Sequence, residues 1–512
     1  MYHCKIARTE KEFEAIARLN YETFVEEIPQ HEPNEARLLV DKFHAENTYI
    51  VMYKDAELIG MLAFRDQRPF SIDGKIGAVE HYLEAAHCEK MCEVRLLAIK
   101  KEYRVGRVFL RLAQALYAYV MDKGYSACVI SGITSQEQLY KHIGFRQFAD
   151  VVGTEDARFL PMVLTSKDGH AFYAQFQKKQ IVFYPGPVKQ LGELNYTNVS
   201  HRNEQFRQLH KRLQEQLLSL SSANNVALFN GSGTLANDVM LQQLKVRVGE
   251  ERGFICSNGE FGGRLVRQAE RLGLQFDVYE VPWGETFEKE RIESFASEAK
   301  WCAFVHGETS TGMLNDLTMF MEIRERFRLL LAVDCVSSFG AVPFSLAHVD
   351  LASATSGKAV GALAGLSFVF YKEKPTSGGA LYSDLAQYDE RLPYTLPAYL
   401  VGNVSEALEV YPERYEVLAN RLIEVLQLPK LTLTKMDVPH FPTAVSFELS
   451  PEFVLDAQLN GFELHAQSDY LKSRQLAQIS TVQPNFDKDL EGFKKWLSVY
   501  VQVEDVIPSL IK

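Results

Sequence analysis

Two residues that follow apolar, strand-like runs carry side chains suited to covalent and electrostatic chemistry. Asp334 ends the run LLLAVD, and Lys358 follows the run LASATS. Burying either charge without a partner is costly. Lys358 therefore either reaches solvent from a loop or supplies its amine for chemistry. Asp334 either accepts hydrogen bonds from nearby backbone N–H groups or pairs with a protonated group, such as a ring nitrogen.

A third feature is a run of glycines and hydroxyls between an apolar strand and a helix. The run FNGSGTLANDVM places Ser232, Gly233 and Thr234 at the start of that helix. Glycine lets the backbone approach a ligand closely, hydroxyls add donors, and the helix dipole favours an anion such as phosphate. The alternative interpretation is an ordinary helix cap.

Together these three features meet the requirements of pyridoxal 5'-phosphate (PLP). The glycine–hydroxyl run would hold the phosphate. Lys358 would form the Schiff base with the cofactor, and Asp334 would keep the pyridine nitrogen protonated, so that the ring withdraws electrons from the substrate. We therefore expect a PLP site where several strands end.

The elements that position these residues belong to a chain of 512 residues, too long for one ordinary core. A net charge of −11 argues against a nucleic-acid or anionic-membrane partner.

The seven cysteines are scattered and favour free thiols in a reducing cytoplasm. His87, Cys88 and Cys92 lack a second ligand pair, so we expect no metal. Without a recognisable signal peptide or membrane span, we expect a cytoplasmic protein.

The sequence changes character near residue 178, and we predict one domain over residues 1–178 and another over 179–512. The second domain alternates helices with short apolar strands such as NVALFN, GFICSN, CAFVHG and LSFVFY. This alternation predicts a mostly parallel α/β sheet with helices on both faces. Ligands of such sheets bind at the carboxyl ends of the strands, where Asp334 and Lys358 stand.

The second half resembles the class V aminotransferases of PLP-dependent fold type I, nearest the alanine–glyoxylate and 2-aminoethylphosphonate–pyruvate group. The resemblance covers Phe183 to the C-terminus and rests on a series of motifs in the order of the family. These motifs are YPGPV, SHRNEQF, GSGTLAND, SNGEFGGR, HGETSTG, VDCVSSFG and SATSGKAVGALAGLS. A series in order is far more specific than any single motif. The implied fold is a mostly parallel sheet with a smaller C-terminal α+β subdomain.

The resemblance implies a catalytic role for two residues and a phosphate-binding role for three. Lys358 would be the lysine that binds the cofactor covalently, and Asp334 would contact its pyridine nitrogen. The phosphate would be held by Ser232, Gly233 and Thr234.

The resemblance also implies the contacts around the cofactor ring. Phe261 would stack on one ring face and Val336 would pack on the other. Thr309 would lie near the ring hydroxyl or the substrate. Tyr394 and Thr395, in LPYTLP, match a segment that reaches the phosphate of a neighbouring subunit in this family. A homodimer with shared active sites is therefore expected.

Two positions depart from the pattern of the family. Gly357 stands before the lysine, where the family commonly has Gln or Asn. In YLKSRQLAQIS, Gln475 aligns with an arginine that grips the substrate carboxylate, and Arg474 is adjacent. Arg474 would either replace that arginine or be a solvated helix charge.

The expected reaction joins a small amino compound, an amino acid or an aminophosphonate, with a 2-oxo acid. A lyase or desulfurase would share the cofactor, but no cysteine lies in a recognisable nucleophile loop.

The first half predicts a mixed α/β domain. We expect helices over residues 10–24 and 107–123, a short helix around Tyr140, strands over 48–53, 57–65 and 93–99, and further strands in ACVISGI and FLPMVLT. A strand, a glycine turn and a helix in succession present backbone N–H groups to an anion.

This half resembles the GNAT acyltransferases over residues 1–165, in the stretches EVRLLAIKKEYRVGRVFLRLAQAL and EQLYKHIGFRQF. The pyrophosphate motif of that family keeps only its central glycine, Gly106, although Arg104 and Arg107 are placed to supply charge. Tyr140 corresponds to the tyrosine that often protonates the departing thiolate. The alternative interpretation of Tyr140 is a packed aromatic.

The opening LNYETFVEEIPQHE also resembles a branch that takes acyl groups from acyl carrier protein, which includes N-acyl amino acid and autoinducer synthases. The expected donor is acetyl-CoA, another acyl-CoA or an acyl carrier protein. Glu93 and Glu80 are candidate bases by position. We therefore expect a bifunctional enzyme that couples transamination to N-acyl transfer. The alternative is an aminotransferase whose GNAT-like half only binds or regulates, as the eroded glycine motif suggests and Tyr140 argues against.

Overall fold

The computed structural model describes most of the chain. The described residues are 2–28, 30–104, 106–153, 158–169, 174, 180–190, 194–197, 199–389, 392–429, 431–434 and 437–509. The chain divides into two compact units. The first unit comprises the residues up to Ile181 together with Pro451–Glu463 and the segment from Asp489 onward. The second unit comprises Val182–Ser450 and Leu464–Lys488.

The N-terminal part of the chain combines helices and strands. In chain order its elements are β1 (Tyr2–Ile6), α1 (Glu10–Tyr21), β2 (Thr48–Lys54), β3 (Glu57–Arg65), α2 (Asp73–Ile76), β4 (Met91–Ile99), α3 (Gly106–Asp122), β5 (Ala127–Ile133), α4 (Glu137–His142), β6 (Arg146–Gln147), β7 (Val152–Gly153), β8 (Arg158–Thr165) and β9 (Ile181–Val182). Helix α1 begins at a capping box between Thr9 and Glu12. The helix predicted over residues 10–24 ends as an α-helix at Tyr21, because a π turn (Glu22–Glu27) continues it.

Helices and strands alternate through the second unit. In chain order they are α5 (Glu204–Ser221), β10 (Asn225–Asn230), α6 (Gly233–Val248), β11 (Gly253–Ser257), α7 (Glu260–Arg271), β12 (Phe276–Glu280), α8 (Lys289–Ala296), β13 (Trp301–Val305), β14 (Gly307–Glu308), β15 (Met313–Leu314), α9 (Leu317–Phe327), β16 (Leu330–Asp334), β17 (Leu351–Thr355), β18 (Leu366–Tyr371), α10 (Ala398–Leu408), α11 (Glu413–Leu426), β19 (Thr432–Leu433) and β20 (Val445–Glu448).

The last elements of the chain alternate between the two units. They are α12 (Pro451–Leu459), β21 (Phe462–Glu463), α13 (Asp469–Lys472), β22 (Leu476–Ile479) and α14 (Phe486–Ser509). Short 3₁₀ turns complete the described secondary structure at Val79–His81, Ala85–His87, Lys101–Tyr103, Thr134–Gln136, Leu381–Ser383 and Leu385–Gln387.

The first unit is built on an eight-stranded sheet in the order β1-β2-β3-β4-β5-β8-β6, with β7 beside β8. Among these strands, only β4 and β5 pair in parallel. Their pairing ends at Glu93 and Val129, although both strands continue beyond these residues. The two strands therefore diverge beyond that point. Strand β4 also carries a bulge opposite Leu62, where Leu96 has φ +51°.

The second unit contains a seven-stranded sheet in the order β10-β18-β17-β16-β13-β11-β12. Strand β18 is antiparallel to both neighbours, and the other adjacent pairs are parallel. Apolar residues on one face pack with α5, α8, α9 and α10, and those on the other face pack with α6 and α7. The predicted fold class is thus confirmed. A smaller antiparallel sheet, β19-β20-β22, follows in the same unit.

Two segments from the end of the chain complete the core of the first unit. Arg8 contacts the buried carboxylate of Asp456 at 2.7 and 3.0 Å. The Asn460 side chain bonds both the N–H and the C=O of Cys4, and Trp496 Nε1 donates to a ring nitrogen of His3. The predicted boundary after residue 178 lies beside the first break at Ile181. The assignment of all of 179–512 to the second domain stays a prediction, and these contacts argue for a more divided arrangement.

Candidate active sites

Lys358 and Asp334 border one cavity at the carboxyl edge of the second unit's sheet. Asp334 is the last residue of β16, and Lys358 follows β17, the neighbouring parallel strand. The cavity is lined by Gly233, Thr234, Asn237, Phe261, Arg264, Val305, Gly307, Asp334, Val336, Ser337 and Lys358. Residues predicted from separate motifs therefore meet in space.

The Asp334 carboxylate is fixed by two hydrogen bonds on its protein side. Asn237 Nδ2 donates to Oδ2 at 2.6 Å, and the Val336 N–H donates to Oδ1 at 2.8 Å. Burial raises the pKa of the Asp334 carboxyl, while these hydrogen bonds and the charges of Arg264 and Lys358 oppose the rise. A cation at the open side of the cavity would complete the surroundings of this carboxylate.

Asn237 is a candidate site residue that sequence reasoning missed. Its Oδ1 accepts a hydrogen bond from the buried Ser353 hydroxyl, so its amide is oriented with Nδ2 toward Asp334. A signal was present in the motif GSGTLAND, because Asn237 lies one helical turn after Gly233 on the same face of α6.

The Lys358 amine is set for nucleophilic chemistry near neutral pH. Burial lowers the pKa of Lys358 to about 8; the Asp334 carboxylate opposes this and Arg264 adds to it. The loop of the YPGPV motif lies against this lysine, since a Cβ on Gly186 would come within 3.3 Å of Lys358 Cδ. The Gly357 departure also has a physical reason, because a Cβ there would come within 2.7 Å of Ala364 Cβ.

The predicted anion cradle lies at the start of helix α6. Ser232 is the N-cap, and within the described residues its side chain makes no capping hydrogen bond. Ser232 and Thr234 are exposed, whereas Gly233 is buried against Val336. A Cβ on Gly233 would come within 2.6 Å of Val336 Cγ1, so only glycine lets the helix start and Val336 approach this closely.

Phe261 lies in the first turn of α7, which a buried carboxylate holds. Glu308 is fully buried and accepts hydrogen bonds from the N–H groups of Phe261 and Gly262 at 3.3 and 2.9 Å. Arg264, one turn further along α7, places its guanidinium carbon 4.8 Å from the centre of the Phe261 ring. Sequence reasoning assigned no role to Glu308 or Arg264, although their motifs were recognised.

Thr309 lies next to the cavity and is tied to its wall. Its hydroxyl donates to the Ser337 hydroxyl, and Ser337 borders the cavity. Gln478 Nε2 donates to the Thr309 carbonyl at 2.6 Å, which fixes the backbone of this residue. Thr309 is thus placed by residues of the cavity wall, and a direct contact with the cofactor stays a prediction.

Three residues predicted to contact cofactor or substrate lie away from the lining of this cavity. Arg474 is exposed, with its guanidinium carbon 3.8 Å from the centre of the Trp283 ring. Tyr394 donates from its hydroxyl to the Leu381 carbonyl at 3.2 Å, and exposed Thr395 lies 3.4 Å from a ring nitrogen of His201. Their proposed roles, for Tyr394 and Thr395 in a neighbouring subunit, stay predictions.

The residues around the cavity fit PLP. Exposed hydroxyls at a helix start suit its phosphate, and Gly233 keeps free the space that a side chain would fill. Asp334 offers a buried carboxylate to the ring nitrogen, and Lys358 offers an amine whose pKa is lowered to about 8. The donor set thus matches the phosphate, the ring nitrogen and the aldehyde of one molecule.

The first unit contains a cavity of about 530 Å³ where β4 and β5 diverge. Much of its lining is apolar: Phe109, Leu112, Ala113, Leu116, Ile130, Ile143 and Phe145. Its polar lining includes Asp41, Lys42, Ser71, Lys75, Glu93, Arg95, Ser131 and Tyr140. A cavity of this kind suits a ligand with a long apolar part and a polar end.

Glu93 and Tyr140 both border this cavity. Glu93 is fully buried and accepts hydrogen bonds from Ser71 N and Ile72 N at 2.7 and 2.9 Å. Tyr140 packs closely over Gly132, where a Cβ would come within 2.6 Å of its ring. Burial raises the pKa of the Tyr140 hydroxyl, which keeps it protonated at neutral pH. Glu80, the other candidate base, instead pairs with Arg68 at 2.7 Å outside the lining.

The residues of the degenerate pyrophosphate motif form few of the contacts expected of an anion-binding site. Gly106 begins α3 with open space around it, and Val108 is fully buried in the core. Arg104 donates to the Ile99 carbonyl at 2.8 Å and pairs with Glu27. Val105 lies outside the described residues. A role for Gly106 in binding the acyl donor stays a prediction.

Two protein families match separate parts of the chain. The aminotransferase class-V family matches residues 190–389, which include Asp334 and Lys358. The N-acyl amino acid synthase FeeM family matches residues 15–168, which include Glu93 and Tyr140. Within the described residues, no helix combines the length and apolarity needed to cross a bilayer.

The curated relatives of this chain include two aminotransferases. The 2-aminoethylphosphonate–pyruvate transaminase of Pseudomonas fluorescens (strain Pf0-1) is 30% identical over 230 residues, which are 41% of this chain and 62% of the relative. That of Lysinibacillus sphaericus (strain C3-41) is 27% identical over 294 residues, 53% of this chain and 79% of the relative. The chain thus spans less than two thirds of the length of the Pseudomonas relative.

Solved structures share the fold at low identity. An aspartate aminotransferase from Thermus thermophilus superposes with a TM-score of 0.57 at 23% identity, covering 63% of this chain and 99% of that one. A ureidoglycine–glyoxylate aminotransferase from Bacillus subtilis gives 0.56 at 22%, covering 64% and 94%. The second unit therefore shares the fold of the PLP-dependent fold type I aminotransferases, with residues 190–389 matching the class-V family, and residues 15–168 of the GNAT-like N-terminal part match the N-acyl amino acid synthase family.

Proposed function

We propose that this chain is a bifunctional enzyme that transfers an amino group in its second unit and acylates an amine in its first. The first activity joins a small amino compound, an amino acid or an aminophosphonate, with a 2-oxo acid. The observation that carries it is the convergence of Lys358, Asp334 and the start of α6 on one cavity. The aminotransferase relatives support the reaction class.

In the second unit each residue has a defined task. PLP, when bound, supplies an electron sink for the bond to the substrate carbon. Asp334, oriented by Asn237, would keep the ring nitrogen protonated, and Ser232, Gly233 and Thr234 would hold the phosphate. Lys358 would hold the cofactor and carry the proton at the substrate carbon, while Phe261 and Val336 would orient the ring. By family resemblance, Tyr394 and Thr395 complete the site of a second subunit in a homodimer.

An amino-donor screen tests this activity. Full-length protein is incubated with PLP, pyruvate and either 2-aminoethylphosphonate or an amino acid, and alanine formation or pyruvate loss is measured by chromatography. We expect turnover with at least one acid-bearing amino compound, and none with Lys358→Ala. Absence of amino transfer for all small donors and 2-oxo acids, with PLP bound, would contradict the proposal.

In the first unit we propose N-acyl transfer. The acyl donor is a thioester of coenzyme A or of an acyl carrier protein. The amine attacks the thioester carbonyl, the carbon–sulfur bond breaks, Glu93 accepts the amine proton, and Tyr140 donates a proton to the departing thiolate. The apolar lining of the cavity supports binding of an acyl chain. The alternative is a binding module without catalysis. It is favoured by the pyrophosphate motif, which keeps only its central glycine, Gly106.

Thiol release decides between these possibilities. Octanoyl-CoA or octanoyl acyl carrier protein is added to the full-length protein with glycine, and free thiol and N-octanoylglycine are measured. Glu93→Gln and Tyr140→Phe are expected to lower the rate about a hundredfold, the effect typical of losing a general base or acid. Glu80→Gln is the matched control. Binding of the thioester without any transfer to glycine or other amines would identify a binding module instead.

A further inference from the structure

The cavity of the first unit has two sides of different chemistry. Along β5, Ile130 packs with the core that contains α3, whereas Val129 packs with Phe70 and Ile72 on the opposite face. Because side chains alternate along a strand, Ser131 lies on the same face as Val129. The opening between β4 and β5 thus connects an apolar side with a polar side, which holds Ser131.

Lys75 is a cation on the polar side with no ion pair among the described residues. Its Nζ lies 3.8 Å from the centre of the Phe159 ring, and Phe159 is the register partner of Ile133 in β5. Arg95, which also borders the cavity, already pairs with Asp41 at 2.7 Å. The attachment of Lys75 to an aromatic face leaves its ammonium available to an anion.

Ser131 adds an unused donor to the lining of the same cavity. The Ser131 hydroxyl oxygen is buried and has no hydrogen-bond partner within the part of the chain that the structure describes. Leaving a buried hydroxyl unpaired is unfavourable, so a ligand that accepts from it gains affinity.

We propose that Lys75 and Ser131 form the subsite for the acid group, a carboxylate or a phosphonate, of the amine that the first unit acylates. The subsite rests on the proposed N-acyl transfer and names the class of its acceptor. The amine of such a compound is directed toward Glu93 on the same face of the sheet, while the acyl chain occupies the apolar side. Acceptors without an acid group lack both contacts.

Acceptor kinetics on the full-length chain test the subsite. All variants carry Lys358→Ala, so that the second unit does not consume the amine. Thiol release from octanoyl-CoA or octanoyl acyl carrier protein is followed with glycine, 2-aminoethylphosphonate and ethylamine. We expect Lys75→Met to raise the KM for glycine or for 2-aminoethylphosphonate about tenfold or more, the factor expected for losing a charged contact. The KM for the thioester and that for ethylamine should stay unchanged.

Two further variants complete the test. Ser131→Ala should raise the same acceptor KM by a smaller factor. Lys42→Met, which removes a lysine stacked on Phe43 at the same cavity, is the matched control and should leave the KM unchanged. Equal KM values for glycine and ethylamine in the parent chain, or equal effects of Lys75→Met and Lys42→Met, would overturn the subsite alone. An effect of Lys75→Met on the thioester KM would also overturn it. Absence of thiol release with every amine would overturn the acyl transfer itself.

Discussion

Asn237 and Asp334 are joined by a 2.6 Å hydrogen bond that spans from helix α6 to the end of strand β16. The bond links the helix that starts at the proposed phosphate cradle to the carboxylate proposed to face the ring nitrogen. One helix therefore connects the two ends of the proposed cofactor site. Ser353, on the adjacent strand, fixes the orientation of the Asn237 amide.

Asp334→Asn should weaken catalysis far more than cofactor binding. The substitution removes the charge that holds the proton on the ring nitrogen, and we expect turnover to fall about a hundredfold, as for other preorganised electrostatic contacts. Asn237→Ala should lower turnover less, because the carboxylate remains but loses one orienting bond. Steady-state rates and PLP dissociation constants check both variants. Turnover of Asp334→Asn close to that of the parent protein would rule out its role.

The attachment of PLP to Lys358 should depend on pH around 8. Only the unprotonated amine attacks the cofactor aldehyde, and burial lowers the pKa of Lys358 to about 8. The attachment rate of the cofactor-free protein should therefore rise with pH through about 8, below the window of an ordinary lysine. Stopped-flow absorbance measures this rate.

Two variants should move that midpoint in opposite directions. Asp334 raises the pKa of Lys358, so Asp334→Asn should shift the midpoint to lower pH. Arg264 lowers this pKa, so Arg264→Met should shift the midpoint to higher pH. Shifts of the same sign in both variants would show that these charges do not control the amine.

Arg474→Ala should raise the KM for the amino donor if this residue binds the acid group of the substrate. Its position over Trp283 leaves the guanidinium exposed, so the change should leave the PLP absorbance unaltered. Arg267→Ala, another exposed arginine of the same unit, is the control. An unchanged KM for Arg474→Ala, together with a raised KM for Gln475→Ala, would point to a neutral or cationic substrate end.

Arg8→Ala should destabilise the first unit by about 2–3 kcal/mol, because it leaves the buried Asp456 carboxylate without its cation. Arg18→Ala removes an exposed pair with Glu14 and should cost about 0.5 kcal/mol or less. Urea unfolding of the full-length protein, followed by fluorescence, compares the two variants. Equal midpoints would contradict the inclusion of Pro451–Glu463 in the first unit.

Local patterns were sufficient to predict many of the longer strands and the positions of Asp334 and Lys358, because apolar runs end where polar residues begin. The glycine–hydroxyl run predicted Gly233 and Thr234, and the family resemblance implied Phe261 and Val336; all four border one cavity. The sequence gives no comparable signal for Glu308, which reaches α7 from a hairpin distant in the chain. Likewise, Asp456 and Trp496 join the first unit through tertiary contacts, which periodicity within a segment does not reveal.

The assignment of Lys358 as the cofactor lysine is the central claim, and borohydride reduction tests it most directly. Full-length protein is loaded with PLP, reduced, digested and mapped by mass spectrometry, with Lys374→Ala as a matched control at an exposed lysine. We predict one pyridoxyl-modified peptide, containing Lys358, in the parent and in Lys374→Ala, and none in Lys358→Ala. Modification of another lysine in the parent protein, or a labelled cavity peptide that persists in Lys358→Ala, would contradict the account.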